Sequence, residues 1–375
     1  MQQFISNITS GAILLLVFLL LANPRQANIA GNRWLAFFFF TLFFFFIDGQ
    51  ILINRLPEHK YYIYFLMSFF QLACTPALYL CVSRYVSLNK IGIKTVLLHF
   101  APFLTANLFI LNFLSRLVEL NDIDKNTSFV SFPILCLLWI QMVIYLILSF
   151  RKIQKHQRQI KLFTSTTSNI DLQWLKMLLI GAIILFIFSV LSVLIANIRL
   201  TYLIDFTYVI TIFVISYYAI RQEEIFPFTE FEKEEINEIL EEYTTLTKKQ
   251  KLSEEELENL KIALIESMNT DKLYLDDGLS LPKLAGHLDI SVHKLSLLLN
   301  EGVGQNFFQF VNSYRIEEAK NLLLDDSKQL NILEIAFGAG FNSKSTFYLA
   351  FKKSLGISPS EFLSNEKLEI KPKKV

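Results

Sequence analysis

Residues 280–300 read SLPKLAGHLDISVHKLSLLLN and predict two short helices joined by a tight turn. Ser280 can cap the first helix, which has Pro282 in its first turn, and Ser291 can cap the second helix after a turn around Asp289. Ala285 is small enough to let the two helices cross at close range, and the leucines of the stretch can fill a core beneath the crossing. The stretch therefore predicts a helix-turn-helix unit, a motif whose second helix enters the major groove of DNA.

A second unit of the same kind follows at residues 332–353, about 52 residues later. Ala336 stands at its crossing, Gly340 lies in a turn one residue longer, and Ser343 is the cap. Gly340 suits a left-handed turn conformation at little cost. Between the units, Asn306 to Leu324 predicts one helix of about 28 Å. Because B-DNA repeats about every 34 Å, one chain could place both second helices in successive major grooves.

Three motifs resemble the DNA-binding domain of AraC/XylS-family transcription regulators over about residues 252–363. They are LPKLA at 281–285, NFFQFVNSYRIEEA at 306–319, and IAFGAGFNSKSTFYLAFKK at 335–353 followed by GISP at 356–359. The resemblance implies a bacterial regulator that binds double-stranded DNA, with RNA polymerase as a further partner. The DNA-binding domain follows a long apolar half, residues 1–220, which is described below and is interpreted as spanning a membrane. Such a combination resembles a type found in Bacteroidetes-like bacteria, in which the membrane half is taken to sense a signal.

The expected DNA contacts follow from positions counted along each second helix. Positions +1, +2, +3, +5 and +6 after the cap can face the groove, whereas +4 and +8 face the core. Lys352 and Lys353 are placed for phosphates, which position the protein without specifying a sequence. Arg315 is interpreted as a brace for the linking helix. The expected base-reading residues are Val292, His293, Lys294, Ser296 and Leu297 in the first unit and Lys344, Ser345, Thr346, Tyr348 and Leu349 in the second.

Two features put the base specificity and the affinity of this domain in question. The family often carries arginine where Leu297 and Leu349 stand, and a bidentate arginine is the commonest reader of guanine. Residues 280–375 hold 12 Lys/Arg against 10 Asp/Glu, a weakly basic balance for a DNA-binding domain. We therefore expect modest affinity at physiological salt, which a homodimer would raise.

The N-terminal 220 residues differ sharply in composition from the rest of the chain. They hold 16 Lys/Arg against 7 Asp/Glu, and residues 221–375 hold 19 against 27. A helix needs about 20 apolar residues to cross a bilayer. Segments near that length predict a seven-helix transmembrane domain surrounded by membrane lipid, although the first segment could instead be a signal peptide. The segments are 5–22, 34–53, 61–83, 95–114, 130–150, 174–197 and 202–220.

Loop charge predicts the orientation of this domain. With the N-terminus outside, the inner loops carry ten Lys/Arg and the outer loops five, in agreement with the positive-inside bias. This places the C-terminus in the cytoplasm of a bacterium and the bundle in its inner membrane. Asp48 is either an intramembrane signal site or an interface residue near a helix end. Gln71, Thr75, His99 and Gln141 are expected to form hydrogen bonds between helices.

Residues 221–258 are an acidic linker, with 13 glutamates against 4 lysines over 223–258. Ile236, Ile239 and Leu240 recur at helical spacing, which predicts an amphipathic helix. Two interpretations stay open: the helix passes a change in membrane-helix packing onward, or it is a solvated spacer. Because DNA repels its charge, it is not itself a DNA contact. The DNA-binding domain then covers 259–365, and 366–375 form a basic tail.

The sequence thus predicts an all-α protein: a polytopic bundle of about seven spans followed by a cytoplasmic domain with two helix-turn-helix units. Its predicted function is that of a membrane-embedded, one-component transcription regulator that responds to an unknown signal ligand. The alternative is a membrane receptor or scaffold whose helix-turn-helix domain binds protein. A transporter would need intramembrane charges that the sequence lacks. No catalytic residue, metal site or cofactor is expected, and the three cysteines show no pairing pattern.

Overall fold

The computed structural model describes residues 2–46, 60–119, 123–167, 170–195, 198–245, 253–325 and 330–370. Within these ranges the regular structure is helical, as expected, and one isolated β-bridge joins Thr164 to Ser280. The chain divides into two compact units. The first comprises Met1–Lys155 and Leu172–Ile225, and the second comprises His156–Asp171 and Phe226–Val375.

The first unit contains seven described helices, and each overlaps one of the predicted apolar segments. Stretches long and apolar enough to cross a membrane occur in four of them, at Phe4–Ala22, Leu66–Val86, Cys136–Leu162 and Gln173–Ser192, and the described apolar stretches of the other three are shorter. The count of seven spans therefore stays a prediction. The helices are α1 (Gln2–Ala22), α2 (Ile29–Phe43), α3 (Lys60–Val86), α4 (Ile93–Glu119), α5 (Ile123–Gln159), α6 (Gln173–Ile195) and α7 (Ile198–Arg221).

Polar side chains in this unit bond to one another across helices, which is how buried polar groups are satisfied in apolar surroundings. Gln141 Nε2 donates to the Leu72 carbonyl at 2.7 Å and to Thr75 Oγ1 at 2.6 Å. His99 Nδ1 lies 3.1 Å from the Tyr145 hydroxyl. Gln71 Nε2 donates to the Phe44 carbonyl, at the end of α2, at 3.5 Å. These contacts confirm the interhelical roles expected of Gln71, Thr75, His99 and Gln141. Asp48 lies outside the described residues.

The second unit consists of short helices around two small cores. Its helices are α8 (Glu230–Thr245), α9 (Glu254–Thr270), α10 (Leu281–His287), α11 (Val292–Leu297), α12 (Phe307–Leu324), α13 (Ile332–Gly338), α14 (Lys344–Leu355) and α15 (Pro359–Ile370). One core lies beneath α10 and α11 and includes the fully buried Leu284, Leu295 and Leu298. The other lies between α12, α13 and α14. The long helix α12 confirms the predicted linking helix, with Asn306 as its cap.

Candidate DNA-binding surface

Helices α10 and α11 form the first helix-turn-helix unit as the sequence predicts. Ser280 and Ser291 cap them by accepting hydrogen bonds from the backbone N–H groups of Lys283 and Lys294. Asp289 turns the chain in a left-handed conformation with φ of 55°. The Ile290 N–H then donates to the Ala285 carbonyl at 3.1 Å, which closes the turn. Hydrogen bonds between residues close in sequence therefore define both the helix ends and the turn of this unit.

Helices α13 and α14 form the second helix-turn-helix unit, whose turn is one residue longer than that of the first, as predicted. The Phe341 N–H donates to the Ala336 carbonyl at 3.0 Å, the counterpart of the bond in the first unit. Gly340 has φ of 86°, and a Cβ there would lie 2.4 Å from the Tyr274 carbonyl oxygen. Ser343 caps α14 as predicted. The turn thus requires glycine both for its conformation and for a close approach of two backbones.

Helix α12 connects the two helix-turn-helix units along the chain and packs against the second of them. A reciprocal capping box of Asn306 and Gln309 begins it, and it packs against both α13 and α14. Its 18 residues correspond to about 27 Å along the axis. That length is comparable to the repeat of about 34 Å between successive major grooves of B-DNA.

The second helix-turn-helix unit presents its expected reading residues on an accessible surface. Lys344 and Ser345 are exposed, and Leu349 is 71% exposed. Thr346 and Tyr348 are half-buried, with the Tyr348 hydroxyl 3.3 Å from Ser360 Oγ. Hydroxyl groups and an ammonium can meet base edges, and an apolar side chain can meet a thymine methyl group.

The core positions of α14 lie as the count from its cap requires, and the two phosphate-contact candidates are exposed. Lys352 and Lys353 are exposed near the end of the helix. Phe347 and Phe351, at +4 and +8, are both fully buried. The same holds in the first unit, where Leu295 at +4 is fully buried. The helical register predicted from the cap serines is therefore confirmed.

In the first helix-turn-helix unit one expectation is wrong, because Val292 does not face solvent. Its side chain is only 3% exposed, and its backbone N–H donates to the carboxylate of Glu235 on α8. Lys294 is exposed but forms an ion pair with Glu256 on α9, at 2.8 Å from Nζ to Oε1. His293, Ser296 and Leu297, the other reading positions predicted in this unit, are half-buried. Helix α11 also contacts α8, a helix distant in sequence that the count from Ser291 could not include.

Arg315 on α12 is the largest fully buried side chain among the described residues, and it binds a loop that lies about 150 residues earlier in the chain. Its Nε donates to the Tyr274 carbonyl at 2.7 Å, and its Nη2 donates to the Asp276 carbonyl at 2.7 Å. The same Nη2 donates to Ser165 Oγ at 3.0 Å, and Nη1 donates to Thr166 Oγ1 at 3.2 Å. Arg315 thus braces α12, as predicted, and also holds residues from between α5 and α6.

Burial lowers the pKa of Arg315 to about 10, against the opposing influence of the Asp277 and Asp276 carboxylates. The guanidinium therefore stays charged at neutral pH, and its hydrogen bonds are of the stronger, charge-assisted kind.

Backbone pairing strengthens the attachment of this loop. The Leu281 N–H donates to the Phe163 carbonyl at 2.9 Å, and Ser165 Oγ donates to the Leu279 carbonyl at 2.7 Å. The described part of the loop between Leu162 and Ile170 carries no charged side chain, although it follows a strongly basic stretch. Its run of serine and threonine was the one signal in the sequence that could have marked it as a buried contact.

A cavity of about 310 Å³ lies within the compact unit formed by Met1–Lys155 and Leu172–Ile225, among α2, α3, α5, α6 and α7. Its walls are mainly aliphatic and aromatic, and Gln71, Thr75, Tyr208 and Thr211 contribute polar groups. Trp139 also lines it. None of the described lining residues is charged, so the cavity suits a neutral, largely apolar molecule.

Two capped helix-turn-helix units on one linking helix define a class of domain that presents two reading helices to DNA. The comparison with known proteins agrees, because the family model for a helix-turn-helix domain matches residues 284–365. The C-terminal region therefore contains a helix-turn-helix domain of the kind that this family model describes.

Three bacterial proteins are similar to about a quarter of this chain. The melibiose operon regulatory protein of Escherichia coli (strain K12) is 31% identical over 87 residues, which are 23% of this chain and 28% of that protein. The xylose operon regulatory protein of the same strain is 28% identical over 100 residues, 27% of this chain and 25% of that protein. The probable transcription factor PqrA of Proteus vulgaris is 29% identical over 94 residues, 25% of this chain and 75% of that protein. No solved structure matches the chain.

Proposed function

We propose that this protein is a membrane-embedded, one-component transcription regulator that binds DNA through its C-terminal domain. The observation that carries the proposal is the pair of capped helix-turn-helix units on α12, with the second unit exposing Lys344, Ser345 and Leu349. The relatives support it because two of them are named as regulators of operons and a third as a transcription factor. The chain spans only about a quarter of the length of the two operon regulators.

The membrane location is the second part of the proposal. Long apolar helices of the first unit expose residues such as Leu15 (60%), Phe109 (73%) and Leu194 (73%), and hydrocarbon is the solvent that suits such a surface. With the N-terminus outside, the DNA-binding domain lies in the cytoplasm beside the chromosome. One chain then joins a sensor to an output domain without a separate signalling partner.

The signal molecule is proposed to bind in the cavity among the apolar helices α2, α3, α5, α6 and α7. A neutral lipophilic molecule fits its apolar walls, and the amide of Gln71 with the hydroxyl of Tyr208 can fix the orientation of one polar group. Asp48 remains the alternative signal site. Homodimerisation and contact with RNA polymerase belong to the proposal through the family resemblance.

Chromatin immunoprecipitation of the full-length protein with sequencing tests the proposed function. We expect discrete occupied sites, and we expect Lys344→Ala with Ser345→Ala to remove them, because both side chains lie on the exposed reading surface of α14. Lys320→Ala is the matched control, since Lys320 on α12 only forms a surface ion pair with Glu317. Unchanged occupancy in the double variant, or no occupied site in the parent, would favour a scaffold that binds protein.

A further inference from the structure

The acidic helix α8 lies on the first reading helix of the DNA-binding domain. It packs against α11, and its apolar side holds Ile236 and Ile239, which are 1% and 6% exposed. On α11, Val292 is 3% exposed. The carboxylate of Glu235 accepts a hydrogen bond from the Val292 N–H. Helix α8 is therefore held by apolar burial and by a specific polar contact.

The docked position of α8 conflicts with the entry of α11 into a major groove. The first residues of a reading helix contact the base edges, and here Val292 is covered while Lys294 is paired with Glu256. Helix α8 also carries seven glutamates and one lysine, a formal charge of −6. Phosphates repel such a helix, so DNA and α8 compete for the same side of the first unit.

Among the described residues, no acidic helix covers the reading helix of the second helix-turn-helix unit in the way that α8 covers α11. Lys344 and Ser345, the counterparts of reading positions on α11, are exposed at the start of α14. The reading helix α14 is therefore accessible, whereas the reading helix α11 is covered.

We propose that α8 is an autoinhibitory segment that covers the first helix-turn-helix unit and must leave it before both units engage DNA. This inference rests on the proposed function. Only residues 222–229 separate α8 from the end of α7. The rings of Phe226 and Phe228 in this connection lie 6.3 and 5.8 Å from the ring of Phe163, centroid to centroid. Any displacement of α7 that reaches α8 along the chain therefore passes through this short connection.

The first test weakens the apolar contact of α8 in the full-length protein. Ile236→Asn with Ile239→Asn removes both buried anchors without adding charge, and Ile262→Asn on α9 is the matched control because Ile262 is 56% exposed. Affinity is measured in lipid nanodiscs by fluorescence polarisation, on a duplex of about 30 base pairs from a chromosomal site that the protein occupies. If the open state is populated at about one part in ten, its release strengthens binding about tenfold. The control is expected to match the parent.

The second test uses the unmodified protein, so that misfolding of a variant cannot obscure the result. Hydrogen exchange is followed in nanodiscs with and without the same duplex. Displacement of α8 predicts faster exchange over 230–245 and slower exchange in α11 when DNA is added. A helix with only a structural role would keep its protection.

The outcomes separate the inference from the proposed function. Tighter binding of the double variant together with faster exchange of α8 supports autoinhibition. Binding by parent and variant with equal affinity, or an α8 that stays protected on DNA, overturns the inference and leaves the proposed function standing. Failure of every form to bind the duplex rejects both.

Discussion

Replacement of Arg315 by methionine is expected to loosen the attachment of the loop at 163–166 to the DNA-binding domain. The parent side chain makes five hydrogen bonds and is fully buried. Methionine retains much of the volume and donates none of these bonds. The carbonyls of Tyr274 and Asp276 and the hydroxyl of Ser165 then lose a charged donor inside the protein.

The magnitude follows from the groups left unsatisfied. A buried acceptor without a partner costs about 1–3 kcal/mol, and loss of one member of a buried charged network costs about 3–5 kcal/mol in all. Restricted to local opening, about 3 kcal/mol corresponds to roughly a hundredfold faster hydrogen exchange. We expect that acceleration at residues 160–166 and 273–281 of the full-length protein in nanodiscs.

A matched substitution separates this effect from a general loosening of α12. Lys320→Met lies on the same helix and removes only the surface ion pair with Glu317, whose separation is 2.8 Å. Such pairs contribute about 0–1 kcal/mol. Unchanged exchange at both segments in Arg315→Met, or equal acceleration in Lys320→Met, would refute the role assigned to Arg315.

Three further predictions concern the turn, the cavity and the orientation. Gly340→Ala is expected to destabilise the second helix-turn-helix unit and to abolish promoter occupancy, because its Cβ would meet the Tyr274 carbonyl oxygen at 2.4 Å; thermal unfolding checks this, and Gly286→Ala, which meets nothing within 4 Å, should be tolerated. With Trp34 and Trp174 replaced by Phe, the fluorescence of Trp139 should be quenched by a brominated medium-chain alcohol in the cavity. Ala182→Phe, which fills the cavity wall, should reduce that quenching, whereas Ile183→Phe at the 39% exposed neighbouring position should not; equal quenching in both variants would exclude the cavity as a site. Fusions at residue 375 should give a fluorescent cytoplasmic reporter and an inactive periplasmic phosphatase, and the reverse pattern would contradict a cytoplasmic DNA-binding domain.

The features of the DNA-binding domain that were predictable from sequence are those fixed by nearby residues. Ser280, Ser291 and Ser343 act as caps because each hydroxyl accepts from an N–H group three residues later, so the pattern is visible in the sequence. Gly340 is recognisable because the turn needs a left-handed conformation. Core positions then follow from counting along a helix.

The features that sequence did not predict depend on contacts between distant segments. Val292 has the position of a reading residue, yet it is buried in a helix that contacts α8. The loop at 163–166 pairs with the domain through backbone groups and hydroxyls, which leave no periodic pattern. Arg315 was correctly interpreted as a brace, yet its partners Ser165 and Thr166 lie about 150 residues earlier in the chain.

The most direct test of the central claim is a nuclease footprint of the full-length protein in nanodiscs on an occupied chromosomal fragment. Two reading helices on α12 predict two protected major-groove patches about 10 base pairs apart, on one face of the duplex. In the Lys344→Ala, Ser345→Ala variant, the patch contributed by α14 should disappear. A fragment without protection, or with the same footprint in that variant, would contradict the claim that these two helices read DNA.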